Sequence, residues 1–378
     1  MSLRYGLIGL LGLLITLLLL RPASAQTPLL SDSTISTTLK TSLQFRASVL
    51  DDEGTNTEQI GFGIRRARLQ YRISVRDRFE IFMQVEGQGP KLLDANLTYR
   101  LSPRFSFTGG RLQGPQPEAF TPTPFFRIDA IERPFIARNW AAQTVGGDGR
   151  DFGLQAAYTA SNFQARLSLS NGDGSYRRIG GNLRRDLNLE SFTGGTDEDG
   201  LAVSGDVGWQ PRAVSGLDLG GHLSYNGSRN PNTAIGGSGP GREYVSASTY
   251  LYWGRMPGSQ PVRLKADALL IDYAENSTAN GTAPEQTTGG LSLLAAVQPA
   301  TATEVFARAE RLERDLGEDA GATFLTAGAS LSLSALRGGP YHAARITGAF
   351  KRRLGSAQFE GGDGPNATGA ILQAQFRF

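Results

Sequence analysis

The residues of this chain best suited to chemistry are arginines, and the chemistry they suit is anion recognition. Arg66, Arg68 and Arg72 lie in the run Arg66–Val75, whose alternate positions Ala67, Leu69, Tyr71, Ile73 and Val75 are apolar. A period of two sends successive side chains to opposite faces of a strand, so the three guanidinium groups share one face, spread over about 20 Å. Each stays charged at any relevant pH and donates paired hydrogen bonds to a phosphate or carboxylate. A second group, Arg127 and Arg133, lies in the stretch Gly110–Asn139 with Arg111, Arg138 and the acids Glu118, Asp129 and Glu132. Its other possible role is to pin that stretch by ion pairs, because Asp129 and Glu132 are close in sequence. Arg263, Lys265, Arg308, Arg345 and Lys351 fall on the polar faces of later runs.

The elements that must position these groups are strands. The alternation recurs in Leu39–Val49, Phe79–Val85, Ala95–Tyr99, Phe105–Gly109, Phe152–Tyr158, Phe163–Leu169, Leu201–Trp209 and Leu217–Tyr225. It continues in Val245–Trp253, Val262–Leu270, Leu291–Val297, Val305–Ala309, Thr323–Leu333, Ala344–Phe350 and Ala370–Phe378. With Arg66–Val75 these make sixteen candidate strands, many near the length that a tilted strand needs to cross a bilayer. Short connections (Arg76–Arg78, Ser102–Arg104, Thr159–Asn162) alternate with longer ones, such as Asp51–Ile60, Asn171–Gly200, Asn226–Arg242 and Asp272–Gln286. That pattern predicts an all-β fold, a transmembrane antiparallel β-barrel. A sheet apolar on one face and polar on the other must close on itself in lipid, because every backbone group there needs a partner.

Gly110–Asn139 is then the third external loop, and it is no ordinary loop. Its prolines 115, 117, 122, 124 and 134 exclude regular structure over most of it, yet Phe120, Phe125, Phe126, Ile128, Ile131, Phe135 and Ile136 are too apolar for water. It is expected to fold into the barrel and constrict it, with Arg127 and Arg133 at the narrowest point.

The two termini carry addresses. Arg4, the apolar run Leu7–Leu20 and Ala23-Ser24-Ala25 read as a signal peptide, residues 1–25, ahead of a single barrel domain, 26–378. Removing it takes away Arg4 and Arg21 and no acid, so 38 Lys+Arg become 36 against 35 Asp+Glu, a net charge of +1. Non-specific nucleic-acid binding has little global charge to support it. At the other end the last strand alternates to a final Phe378, an aromatic terminus of the kind read by the outer-membrane assembly machinery.

Other constellations carry less. His222 and Ser224 fall on a lumen face with Asp218 and Asn226, where a polar lining is a better account than catalysis. The Asp/Gly turns Gly146–Asp151, Asn171–Gly174 and Thr196–Gly200 are turn chemistry before they are calcium sites. With no cysteine and two histidines a transition-metal site is not expected, and phosphate-binding and dinucleotide fingerprints are missing, so no cofactor is expected. Tyr71, Tyr99, Tyr158, Trp209, Tyr225 and Trp253 stand near strand ends, as the aromatic belts of membrane interfaces do.

The strand pair Gly63-Ile-Arg-Arg-Ala-Arg-Leu and Phe82-Met-Gln-Val-Glu86, the segment Gly110–Glu118 with Ile131-Glu-Arg133, and Ser170-Asn-Gly-Asp-Gly174 together resemble the phosphate-selective porins O and P. The resemblance covers about the first half of the mature chain. It implies a sixteen-stranded homotrimeric channel, set in outer-membrane lipid and lipopolysaccharide, with an arginine-rich path for small anions such as phosphate or polyphosphate. Sparse lysine and a near-neutral charge are departures from that family, and a weakly selective or sugar-accepting diffusion porin is the alternative. No enzymatic activity is expected.

Overall fold

A computed structural model describes residues 27–31, 34–52, 57–89, 91–144, 149–172, 174, 199–228, 243–278, 281–283, 285–316, 321–355 and 366–378. The segment expected to be a signal peptide lies outside them, as do 146–148, 173 and 196–198 of the three Asp/Gly turns.

Every run of alternation becomes a strand. In chain order these are β1 (Ile35–Asp52), β2 (Thr57–Val75), β3 (Phe79–Glu86), β4 (Lys91–Arg100), β5 (Phe105–Leu112), β6 (Asp151–Thr159), β7 (Phe163–Ser170) and β8 (Asp199–Trp209). Then follow β9 (Leu217–Ser228), β10 (Tyr244–Trp253), β11 (Val262–Tyr273), β12 (Gln286–Ala300), β13 (Thr303–Glu313), β14 (Gly321–Ser332), β15 (Ala344–Gly355) and β16 (Ala367–Arg377). Each pairs antiparallel with its neighbours in sequence, and β16 pairs with β1 from Ala367↔Asp52 to Arg377↔Ser42, so the sixteen strands close into a barrel. A short strand, Thr27–Ser31, extends the free edge of β1 beyond the end of β16. Phe378 completes the seam, its amide donating to Thr41 O at 2.9 Å and its carbonyl accepting from Thr41 N at 3.0 Å.

The faces are inverted relative to a water-soluble protein. Leu154, Leu167, Leu223, Leu251 and Phe350 are more than half exposed on the outside, whereas Gln44, Arg66, Arg263, Arg308 and Arg345 are buried on the inside. Aromatic pairs sit on the outer rim at the short-turn end, Phe79 with Tyr99 at 5.1 Å and Phe105 with Tyr158 at 4.9 Å between centroids. An apolar belt with an aromatic rim is the surface a lipid bilayer requires.

Two expectations about connections need correction. The connection expected over Asp51–Ile60 is confined to 53–56, because β1 and β2 run on as a long hairpin. Alternation there was out of phase with the rest of β2: Gln44 pairs with Arg66 but Phe45 pairs with Ile64, leaving Arg65 as a bulge. A bulge reverses which parity faces in, so Ile60, Phe62 and Ile64 face out on one side of it, and Leu69 faces out on the other. The third loop is also displaced from 110–139 to 113–150. Gly110–Leu112 stay in β5, where Gly110 (φ +120°) passes so close to Ala95 O that a Cβ would clash. Beyond the last proline of the loop, Pro134, a helix forms, α1 (Phe135–Gln143), since proline is tolerated just ahead of a helix but not within it.

Because the bulge contributes one extra residue without changing either flanking face, deleting Arg65 should leave the barrel folded, with the heat-modifiable mobility of the parent on gels. Deleting Leu69 instead should turn half of β2 inside out and abolish that mobility.

Candidate functional site

The third loop lies inside the barrel and is seated to one side. Its apolar residues pack on lumen-facing apolar groups of β10–β15. Phe120, Phe135, Ile136 and Trp140 meet Tyr244, Leu269, Ile271, Tyr273, Leu312 and Phe324, and Ala130 and Ile131 meet Leu294, Ala296, Phe306 and Ala349. Phe135 stacks on Phe324 at 4.1 Å. Each such side chain, fully buried, contributes on the order of 1.5–3 kcal/mol.

Charge fixes the loop in register. Glu132, buried, accepts from Arg65 Nε at 2.6 Å and Arg46 Nη2 at 2.7 Å, with Arg66 Nη2 at 3.5 Å. Asp129 bonds Lys265 Nζ at 2.7 Å and Arg263, the fourth and second residues of β11, at the short-turn end. The wall also donates to the loop backbone: Arg308 Nη1 to Glu132 O at 2.8 Å, Arg345 Nη2 to Ile128 O at 3.0 Å and Gln375 Nε2 to Phe126 O at 3.0 Å. Glu310 accepts from the amides of Phe135 and Ile136, the unsatisfied donors at the start of α1. Burial alone would raise the Asp129 carboxyl, but Lys265 and Arg263 overcome it and hold it at about 2. Burial opposes ionisation of Glu132 too, and Arg66, Arg65 and Arg46 together hold it well below the usual carboxylate range.

The arginines singled out from the sequence divide by role. Arg66 is buried, donating to Gln44 Oε1 at 2.8 Å beside Glu132, so it anchors the loop. Arg133, also buried, donates from Nε to Phe120 O at 2.7 Å and from Nη2 to Thr123 O at 2.9 Å, bracing the loop against itself. Arg68 bonds Glu86 at 2.9 Å and lies over the Phe125 ring at 4.7 Å. Arg72 bonds Glu80 at 2.9 Å with 47% of its side chain still exposed. Arg127 stacks on Phe126 at 5.5 Å and bonds no carboxylate among the described residues. Arg263, Lys265, Arg308 and Arg345, expected only to line the path, hold the loop.

Between the loop and the wall of β16 and β1–β6 lies a polar cavity of about 420 Å³. Its cations are Lys40, Arg68, Arg72, Arg133 and Arg377, and its one carboxylate, Asp94, is bonded to Arg150 at 2.9 Å. Arg377 lies over Phe126 at 3.8 Å. Lys40 and Arg377 were not among the candidates, although strand parity alone puts both on polar faces. What hid them was their distance in sequence: β16 and β1 become neighbours only through ring closure.

The His222 constellation is not assembled for catalysis. Ser224 shares a 2.7 Å hydrogen bond with Ser246, which accepts from Trp140 Nε1 at 3.0 Å, and His222 stands edge-on to Trp140 at 5.6 Å. No cluster of acids or histidines suited to a metal occurs among the described residues.

Neither a family profile nor a curated protein matches the sequence. Solved structures do match, among them an anion-selective porin from Comamonas acidovorans (16% identity, TM-score 0.63, 91% of this chain and 100% of that one). The chain has the porin fold. Outer-membrane OmpT of Vibrio cholerae (13% identity, TM-score 0.61, 93% and 100% covered) and Salmonella typhi OmpF in complex with daunomycin (12% identity, TM-score 0.61, 93% and 100% covered) superpose over the same length. At these identities the likeness is one of fold. Within this porin fold, the inserted loop and the cavity beside it are the candidate site.

Glu132→Gln should raise single-channel conductance, since a buried ion-pair cluster that loses its carboxylate forfeits about 3–5 kcal/mol and frees the loop. The depressed carboxyls also set a pH window. Their stabilisation is complete above the unfolded value, about 4, and is lost at lower pH, in the case of Asp129 as pH falls through about 2. Loosening of these two anchors should therefore raise conductance only below about pH 4, toward pH 2, as recorded in planar bilayers with Glu118→Gln, in which the loop's other buried carboxyl, pushed up to about 7 by burial, no longer titrates.

Proposed function

We propose that this chain is an outer-membrane porin of a Gram-negative bacterium, a water-filled channel for passive diffusion of small anions. The observation that carries the reading is the charge imbalance of the cavity lining, five cations against one carboxylate: with Asp94 paired to Arg150, Arg68 to Glu86 and Arg72 to Glu80, Lys40, Arg133 and Arg377 still bond no carboxylate among the described residues. Cations on a low-dielectric wall raise the local concentration of anions and lower the cost of dehydrating them. Arg72, Arg127, Arg377 and Lys40 are the groups for transient contact, because none is enclosed by the loop's own packing. Arg66, Arg68 and Arg133 act mainly as fixed positive charge behind them. Phosphate and polyphosphate are anions that such guanidinium forks would hold well.

The partners follow from the surface. The apolar outer belt calls for outer-membrane lipid and lipopolysaccharide. A smooth outer groove floored by Ala266, Ala295, Ala307, Ala309 and Ala327 allows close packing of barrels, in keeping with a homotrimer. The C-terminal strand ending at Phe378 is the element that barrel assembly machinery would read. A channel of this kind performs no enzymatic reaction.

The test is the reversal potential of the refolded protein in a planar bilayer across a KCl gradient. A chloride preference is expected, and the combined change Lys40→Gln, Arg72→Gln, Arg377→Gln should move it toward cations. Clear conductance without chloride preference would leave a weakly selective diffusion porin.

A further inference from the structure

The cavity has two chemically different sides. Lys40, Arg68, Arg72 and Arg377, from β1, β2 and β16, form a cationic arc. Facing it from β3–β6 are Gln84, Asn96, Thr98, Thr108 and Gln155, amides and hydroxyls without net charge, with Asp94, neutralised by Arg150, as the one carboxylate on that side. A bare inorganic anion needs donors all round, and acceptor oxygens on the far side repel it. Amides and hydroxyls both donate and accept, which is what a solute hydroxyl also does.

Two atoms on the neutral side make the point specific. Gln84 is only 4% exposed, and its Nε2 donor has no hydrogen-bond partner among the described residues; the same is true of the Gln155 Oε1 acceptor. Buried amide atoms ordinarily have partners; both side chains line the cavity, so a small rotation of either amide turns an enclosed, unpartnered donor or acceptor toward whatever occupies it. Thr98 and Thr108, bonded to each other at 2.9 Å, continue the same surface along β4 and β5. The volume, about 420 Å³, is that of a pocket for a ligand of sugar size.

From this we infer that the cavity selects polyhydroxylated organic anions, the sugar-acid and sugar-phosphate class, over compact or unsubstituted anions of equal charge. The anionic head would lie against Arg72, Arg377 and Lys40, and the hydroxyl-bearing chain against Gln84, Gln155 and the threonines. The inference rests on the anion reading above and adds the second half of the recognition.

The experiment uses the refolded full-length protein in planar bilayers and reads the concentration at which an added solute halves the KCl current. Gluconate should block at about one fifth the concentration of hexanoate, which has the same carbon count and charge but no hydroxyls on its chain, as expected for one net hydrogen bond. Glucose 6-phosphate set against inorganic phosphate, read the same way, distinguishes a phosphate head from a carboxylate head. In Gln84→Leu, Gln155→Leu the advantage of gluconate over hexanoate should collapse, whereas Lys40→Gln, Arg377→Gln should weaken both blockers together. Equal block by gluconate and hexanoate in the parent protein overturns the inference, as does block by neutral glucose equal to that by gluconate. If the KCl reversal potential shows chloride preference while gluconate and hexanoate are equal, this inference alone has failed. If there is no chloride preference, the anion reading has failed first.

Discussion

The structure depends on ionised carboxylates carried by the inserted loop and buried among wall cations. Without Glu132 between Arg46, Arg65 and Arg66, and Asp129 between Arg263 and Lys265, the loop would have only its apolar contacts, which are tolerant of sliding. Ion pairs of this depth add little net stability, because desolvation offsets most of the Coulombic gain. Their value is positional. A carboxylate buried among three guanidinium groups cannot shift by a residue without leaving charges unpaired, so the pairs fix where the loop stops. Apolar packing, by contrast, decides which side of the lumen it occupies.

That division of labour accounts for the asymmetry of the passage. Leu269, Ile271, Leu312 and Phe324 face inward on β11, β13 and β14, an unusual choice for a water-filled lumen, and they give Phe135, Ile136 and Trp140 a dry seat. The loop leans on that side, and the opposite wall is left wet. Many of the positive charges in the barrel serve as scaffold, and a chain of small net charge, +3, still presents a strongly cationic surface in one place.

Much of this was legible in the sequence. Strict parity identified sixteen strands, since a sheet with lipid on one face and water on the other makes successive residues alternate. The apolar, proline-rich segment announced a loop that folds inward. What parity could not reveal was the partner of each charge. Arg127 and Arg133 looked like the constriction and Glu132 like their counter-ion, yet Glu132 binds Arg46, Arg65 and Arg66 from the wall. Pairing across a barrel is long-range, and neither spacing nor composition encodes it. The bulge at Arg65 hid the outer half of β2 for the same reason, because a phase break is invisible until both strands are in register.

The cationic arc straddles the seam where β16 meets β1. Lys40 comes from the first strand of the barrel and Arg377 from its last, so the lining does not exist until those two strands pair. It appears when the last strand locks onto the first, with Phe378 hydrogen-bonded to Thr41. Shutting the wall and assembling its cationic lining are therefore a single event, and an incompletely zipped barrel would enclose no such arc.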